Sequence, residues 1–254
     1  MSLESVIADL TKAASDLIAT FNGKKNEITA AVNAAIAAAP ETSRAWWVDP
    51  VNGLDTNAGT TVAAPFKTIG KAMSSTPSSG QCTVFLMNDY PMAANIPVMC
   101  AYLLIYGIYA VSSGITPKFR PQYYQGTDGA TQLAGFICYS QANNVEFRNI
   151  DIVLPSVAGV LPVPTLTRIN SFIKTNSSSS LPPAVGVMLQ TVVVTKAADF
   201  YGALVGLSVS SLALGCFQVT FPSDMAGKYV STVGSPGGTA TNTLTQITTN
   251  LVTI

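Results

Sequence analysis

The sequence contains no histidine. That removes the commonest general base and the commonest metal ligand. A Ser-His-Asp triad, a Cys-His dyad or a histidine metal site cannot be built from this chain alone. Charge is scarce as well. Thirteen Lys and Arg balance thirteen Asp and Glu, and charged residues make up 10% of 254, against about 25% in an ordinary soluble domain. So few cations predict no nucleic-acid partner. A weakly charged, apolar surface predicts assembly with other chains. The four cysteines, Cys82, Cys100, Cys138 and Cys216, are far apart and form no CxxC. They read as small buried apolar residues, and no disulfide framework, metal or cofactor is expected.

Secretory and membrane signals are also missing. Met1 to Thr20 mixes acids with apolar residues and has no basic stretch ahead of an apolar core, so synthesis and retention in a cytoplasm is the expectation. The longest apolar run, Ala198 to Phe221, approaches the roughly 20 residues of a spanning helix. It contains Asp199, Gln218, three serines and three glycines, and its Val, Leu and Phe suit strands. No membrane insertion is expected.

What is present begins with helix. Residues 2 to 39 are rich in Ala, Leu, Ile, Lys and Asp and have no proline before Pro40. Ser2 is placed to cap the start. Ile7, Ala14, Phe21, Ile28 and Ala35 recur by sevens, and Leu3, Leu10, Leu17 and Ala31 form the row four residues earlier, interrupted by Lys24. Such a and d rows predict a parallel coiled coil that trimerises the chain through Leu3, Ile7, Leu10, Ala14, Leu17, Phe21, Ile28 and Ala35. An amphipathic helix docked on a neighbouring protein is the alternative. Asn22-Gly23 argues for a break.

The most informative stretch follows a linker at 40–45. It reads Val48-Asp49-Pro50-x-Asn52-Gly53-x-Asp55-x-Asn57-x-Gly59, then Pro65-Phe66-Lys67-Thr68-Ile69-x-x-Ala72. A strand running into a turn-rich loop is expected first, then a short helix opened by Pro65, with Phe66, Ile69 and Met73 on its apolar face. Asp49, Asn52, Asp55 and Asn57 miss the calcium-loop spacing and are expected to cap their own turns. Over residues 46 to 73 the pattern resembles the entry segment of right-handed parallel β-helix proteins of the pectate-lyase-like class. In phage tailspikes and tail fibres that segment often follows an N-terminal helical anchor.

Beyond it, Thr83–Met87, Tyr102–Tyr109, Phe136–Tyr139, Val145–Leu154, Val185–Val194, Ala203–Val209 and Phe217–Phe221 are strand candidates between Pro- and Gly-containing loops. In 142–152, Val145, Phe147, Ile150 and Ile152 are expected to point inward, Glu146, Arg148 and Asp151 outward, with a turn or bulge near Asn149. The resemblance then implies a mainly β fold: a short right-handed parallel β-helix preceded by an α-helical, coiled-coil-like anchor, homotrimeric. Its segments would be an anchor at 1–40, an entry and capping segment at 41–80, a β-helix body at 81–230 and a terminal strand or tip at 231–254.

The function implied is that of a bacteriophage virion structural protein. It would be a tail fibre or tailspike subunit, made in the host cytoplasm and carried in the tail, for host attachment and receptor binding or for tail assembly, and not an enzyme. Its partners would be two further copies, other tail or baseplate proteins through the helix, and host cell-surface polysaccharide. Tyr123 and Tyr124, in a polar loop, are the candidate sugar contacts. The first alternative is a polysaccharide depolymerase, a glycosidase or lyase. Glycosidases need two carboxyl groups about 5–5.5 Å apart (retaining) or about 6.5–9.5 Å apart (inverting). Asp128 and Asp151, about one coil apart in sequence, are the candidate catalytic pair. The second alternative is a non-adhesive connector for a longer fibre or spike.

Overall fold

The computed structural model describes residues 2–38, 42–108, 114–139, 142–175, 184–207, 211–231 and 247–249, with backbone alone at 35–38, 142 and 247–249. It falls into two compact units, divided after Glu41.

The first unit is one helix, α1 (Leu3–Ala38). Ser2 Oγ accepts from Ser5 N at 3.3 Å and opens it. The helix runs unbroken through Asn22-Gly23, so the expected break is absent. Two poor helix formers cost about 1 kcal/mol or less each, which the surrounding Ala- and Lys-rich turns outweigh. The a and d rows stay uncovered. Leu3 is 77% exposed, and Leu10, Leu17 and Phe21 are each 70% exposed. Ile7, Ala14 and Ile28 are exposed too, whereas the Ala35 side chain lies outside the described residues. Lys24, which breaks the row, pairs with Glu27 at 2.7 Å.

The second unit is mainly β and strongly curled. Its chain runs in circuits, each visiting up to three parallel ladders. Strand β1 (Ser43–Val48) opens the first ladder, face A, followed by the short helix α2 (Ile69–Ser74). The next circuit holds β2 (Gln81–Leu86) on face A, β3 (Tyr90–Met92) on face B and β4 (Ile96–Val98) on face C. The third holds β5 (Tyr102–Tyr106) on A, β6 (Lys118–Pro121) on B, an inserted antiparallel hairpin of β7 (Tyr123–Gln125) and β8 (Thr131–Leu133), and β9 (Phe136–Cys138) on C. The fourth holds β10 (Ala142–Arg148), β11 (Asp151–Leu154) and β12 (Ser171–Thr175). In the fifth, β13 (Ala184–Lys196) serves A and then B, and β14 (Ala203–Gly206) serves C. Strands β15 (Ser211–Thr220) and β16 (Ile247–Thr249) extend face A. Every rung within the three ladders is parallel.

Alternate side chains point into the coil. On face A, Val84, Ile105, Phe147 and Leu189 stack in register and are fully buried. Phe119 from face B, Phe136 and Phe172 from face C and Phe147 from face A meet inside, with all six ring pairs 5.4–5.6 Å apart. In the fourth to sixth circuits the corner between faces A and B is made by one left-handed residue each. Asn149 (φ 51), Thr191 (φ 54) and Gln218 (φ 53) follow the aligned Arg148, Gln190 and Phe217. The turn expected near Asn149 is there, and Val145, Phe147, Ile150 and Ile152 are buried beside it. In the preceding circuit Gly107 faces the same corner, where a Cβ would lie 2.1 Å from Asn149 O.

The entry segment closes the first edge of the stack. Trp47 N donates to Gly59 O at 2.7 Å, Phe66 N to Trp47 O and Asp49 N to Phe66 O, both at 2.9 Å. The loop therefore takes up the backbone groups that an edge strand would leave open. Helix α2 begins later than Pro65, because Thr68 is its N-cap and accepts from Lys71 N at 3.1 Å. Phe66 instead bridges to Val48. Asp55 takes Lys67 N, Thr68 N and Thr68 Oγ1, all within 2.9 Å. Ala198–Phe221 supplies β14 and β15, and no helix among the described residues is long and apolar enough to cross a membrane. Of 231–254, Ser231 and the backbone of 247–249 are described; the rest of the expected tip, like Tyr109 and Val209, lies outside the described residues.

Candidate functional site

The outward side of face A is unusual for a surface. One row runs Trp47, Phe85, Tyr106, Arg148, Gln190 and Phe217 across six strands. Trp47 and Phe85 have ring centroids 5.0 Å apart, and Phe85 and Tyr106 6.5 Å. A second row runs Thr83, Leu104, Glu146, Met188 and Gly215, and a third Gln81, Tyr102, Asn144, Gly186 and Ala213. Trp47, Phe85, Leu104, Met188 and Phe217 thus put apolar side chains on the outer face, interspersed with Gln81, Thr83, Asn144, Glu146, Arg148 and Gln190.

Small residues stand at 186, 213 and 215 in the middle of this face, and the Asn144 and Met188 side chains lie over Gly186 and Gly215. They form a cleft of about 730 Å³, walled by Tyr102 and Glu146 on one side and Phe217 on the other. At its rim Tyr102 OH donates to one Glu146 carboxylate oxygen and Arg148 Nε to the other. Glu146 points outward yet is buried under these partners. Burial, then the Glu146 carboxylate, push the Tyr102 hydroxyl up to about 12, and Glu146 raises Arg148 above its ordinary value. The cluster holds its charge internally and leaves the cleft with a largely apolar lining.

The tyrosines expected to meet sugar spend their hydroxyls inside the chain. Tyr123 OH donates to Tyr201 O at 2.7 Å and accepts from Tyr201 N at 3.1 Å. Tyr124 OH donates to Gln132 Oε1 at 3.1 Å and contacts Asn95 Nδ2 at 2.5 Å. Both rings are half-buried. Burial pushes the Tyr123 hydroxyl up to about 12 and raises that of Tyr124.

The two candidate carboxylates lie on different elements. Asp128 caps the β7–β8 turn, accepting from Ala130 N at 3.1 Å. Asp151 sits on face B beside its rung neighbour Lys118, with Lys118 Nζ at 3.8 Å, and accepts from Val193 N at 3.2 Å. Each is occupied in holding backbone. Asp49 is buried and accepts from Val51 N, Asn52 N, Asn52 Nδ2 and Asn88 Nδ2 at 2.9–3.2 Å. Burial pushes its carboxyl up, but these donors outweigh it and hold the group below its ordinary value. Among the described residues no three His, Cys, Asp or Glu converge to hold a metal ion.

No protein-family model matches the chain, and no curated protein matches it.

Two features escaped the sequence reading. The cleft was signalled only by glycines inside otherwise alternating strands, a mark of close approach by a neighbouring group. The other is Lys174, 4% exposed in β12. Its ammonium donates to Asn95 Oδ1 at 2.7 Å, Ile169 O at 3.1 Å and Leu133 O. Asn95 in turn contacts Tyr124 and Gln132, so one buried cation ties the hairpin to face C. Burial lowers Lys174 to about 7.

Proposed function

We propose that this chain is a structural subunit of a bacteriophage tail, a trimeric fibre or spike built from a helical anchor and a short right-handed parallel β-helix. One observation carries the reading. A 36-residue helix with an uncovered heptad stripe leads, through a segment resembling a β-helix entry, into a stack of short parallel rungs. Self-association gives the stripe a partner, and three parallel helices are the expected arrangement. The corner column of Asn149, Thr191 and Gln218 supports the β-helix, since it bends the chain at the same place in successive circuits.

The body presents the β7–β8 turn, the loop after β11 and the rim of the cleft to host-surface polysaccharide or to neighbouring tail proteins. The helix serves the copies themselves and the rest of the tail. The experiment is immunogold labelling of phage particles that encode the chain, followed by binding of purified protein to host cells. Label on the tail with saturable cell binding is the expected result. Tail label without cell binding assigns the connector role, and absence of label from the particle overturns the reading.

A further inference from the structure

Three cysteines far apart in sequence converge where face C turns into face A. Cys82 lies near the start of β2 on face A, Cys100 between β4 on face C and β5 on face A, and Cys138 at the end of β9 on face C. All three are buried and free. Backbone pairing sets the first two side by side. Gly80 O accepts from Ala101 N at 3.1 Å and from Tyr102 N at 3.3 Å, and Gln81 and Cys82 are rung partners of Tyr102 and Leu103. Inside, the Cys82 thiol donates to Cys100 Sγ. Cys100 Sγ also lies 3.2 Å from Tyr102 O and 3.9 Å from Met73 Sδ. The bond to Cys100, then burial, push the Cys82 thiol up, and the bond from Cys82 lowers that of Cys100. Cys100 is therefore the first of the two to ionise. Cys138 stands one rung on, opposite Val98, and burial pushes its thiol up to about 12.

We propose that Cys82 and Cys100 form a latent disulfide, which closes the second circuit into a covalent ring when the surroundings turn oxidising. The two thiols stand at the ends of 82–100, the stretch that holds β2, β3 and β4. Position favours a cross-link there. Strands β3 and β4 end the face B and face C ladders, each with a rung neighbour on one side only. This circuit is therefore the one with the fewest backbone partners on those two faces. A bond across it restricts the unfolded chain and holds the end of the stack together. A small apolar residue would fill the core equally well at either position. Two thiols in mutual contact add a bond that can form.

The oxidant is a small-molecule disulfide. The Cys100 thiolate attacks one of its sulfurs and expels one thiolate, which leaves a mixed disulfide on Cys100. Cys82 gives up its proton and attacks the Cys100 sulfur, and the second thiolate leaves. One S–S bond forms and one breaks. The protons of Cys82 and Cys100 end on the two released thiols, and two electrons pass to the oxidant. Entry is through the corner itself: Met99 beside Cys100 is 50% exposed and Ala101 is half-buried, so a local opening there brings Cys100 to solvent. A reducing cytoplasm keeps the pair open, and an oxidising exterior closes it. In a tail protein, as read above, the lock would set after assembly, when the particle leaves the cell.

The test incubates the full-length protein with glutathione disulfide, with and without urea below the unfolding transition, so that access to the corner is not limiting. The sample is then denatured, alkylated with iodoacetamide and digested with chymotrypsin, which cuts between the two cysteines. Mass spectrometry should find Cys82 and Cys100 in one linked peptide pair and Cys138 alkylated. The oxidised protein should melt at least about 5 °C above the reduced one, and dithiothreitol should reverse the shift. Cys82→Ala and Cys100→Ala should each abolish the shift, whereas Cys138→Ala should keep it. A linkage through Cys138, alkylated Cys82 and Cys100 in both samples, or a linked pair that melts no higher than the reduced chain overturns the proposal. Copy number and place in a particle do not enter these readings, so the bond and the tail reading fail separately.

Discussion

Asp49 and Lys174 are both buried ionisable residues, and they respond to burial in opposite ways. Asp49 has four donors, so its folded-state carboxyl lies below its ordinary value. Its contribution is present above the unfolded carboxyl range and is lost as pH falls through the folded value. Asp49→Ala should cost about 2–3 kcal/mol at pH 7 by urea unfolding, because the buried donors lose their acceptor. That gap should narrow in acid. Lys174 has oxygens around it but no carboxylate, and burial dominates. Its folded form sheds a proton near pH 7, whereas the unfolded side chain keeps it to about 10.4. Between those values the unfolded chain binds more protons, so stability rises with pH. Lys174→Met should cost about 2–4 kcal/mol at pH 7. The deficit against wild type should widen toward pH 9.5 in thermal unfolding. At this scale alternation is legible in sequence: Val145, Phe147, Ile150 and Ile152 declare themselves by spacing. A lysine whose oxygens come from residues 95, 133 and 169 does not, because its partners are brought together only by the coiling.

Among the elements, α1 is the one whose role depends most on its pattern. Lys24 interrupts a row otherwise made of Leu and Ala, and its exposed pair with Glu27 is worth only a few tenths of a kcal/mol. Lys24→Leu should therefore raise the melting temperature of the assembly, and Leu10→Asp with Leu17→Asp should dissociate it; sedimentation velocity and circular dichroism check both. At the face A–B corner, Gly107→Ala should cost about 2 kcal/mol in urea, since the new methyl meets Asn149 O. Of the long face A strands, β10 and β13 were legible from their apolar runs, whereas β15 was expected only from Phe217 on. Strands β3, β4, β6, β7, β8 and β12 were not, because three to five residues are too few to show a period. Pro91 and Pro97 disguise two of them further. Both sit on strands paired on one side only, where a missing N–H is tolerated. Helix α2 was placed four residues early because Pro65 suggested a start, whereas Phe66 pairs with Val48 and the helix begins at Ile69.

For the whole molecule, the governing fact is how much apolar surface one copy leaves uncovered: the α1 stripe, Met188 and Phe217 on face A, and Leu161, Val163 and Leu166 in the loop after β11. A chain with so little charge has no electrostatic means of staying dispersed with these exposed. Composition already pointed to assembly. The cleft was hidden, because it joins residues 102 to 217 across four circuits. Sedimentation equilibrium of the full-length protein at micromolar concentration addresses this most directly. A mass of three 26.4 kDa chains, unchanged on tenfold dilution, is the expected result. A single 26.4 kDa species at every concentration would contradict the assembly, and with it the proposed place in a phage tail.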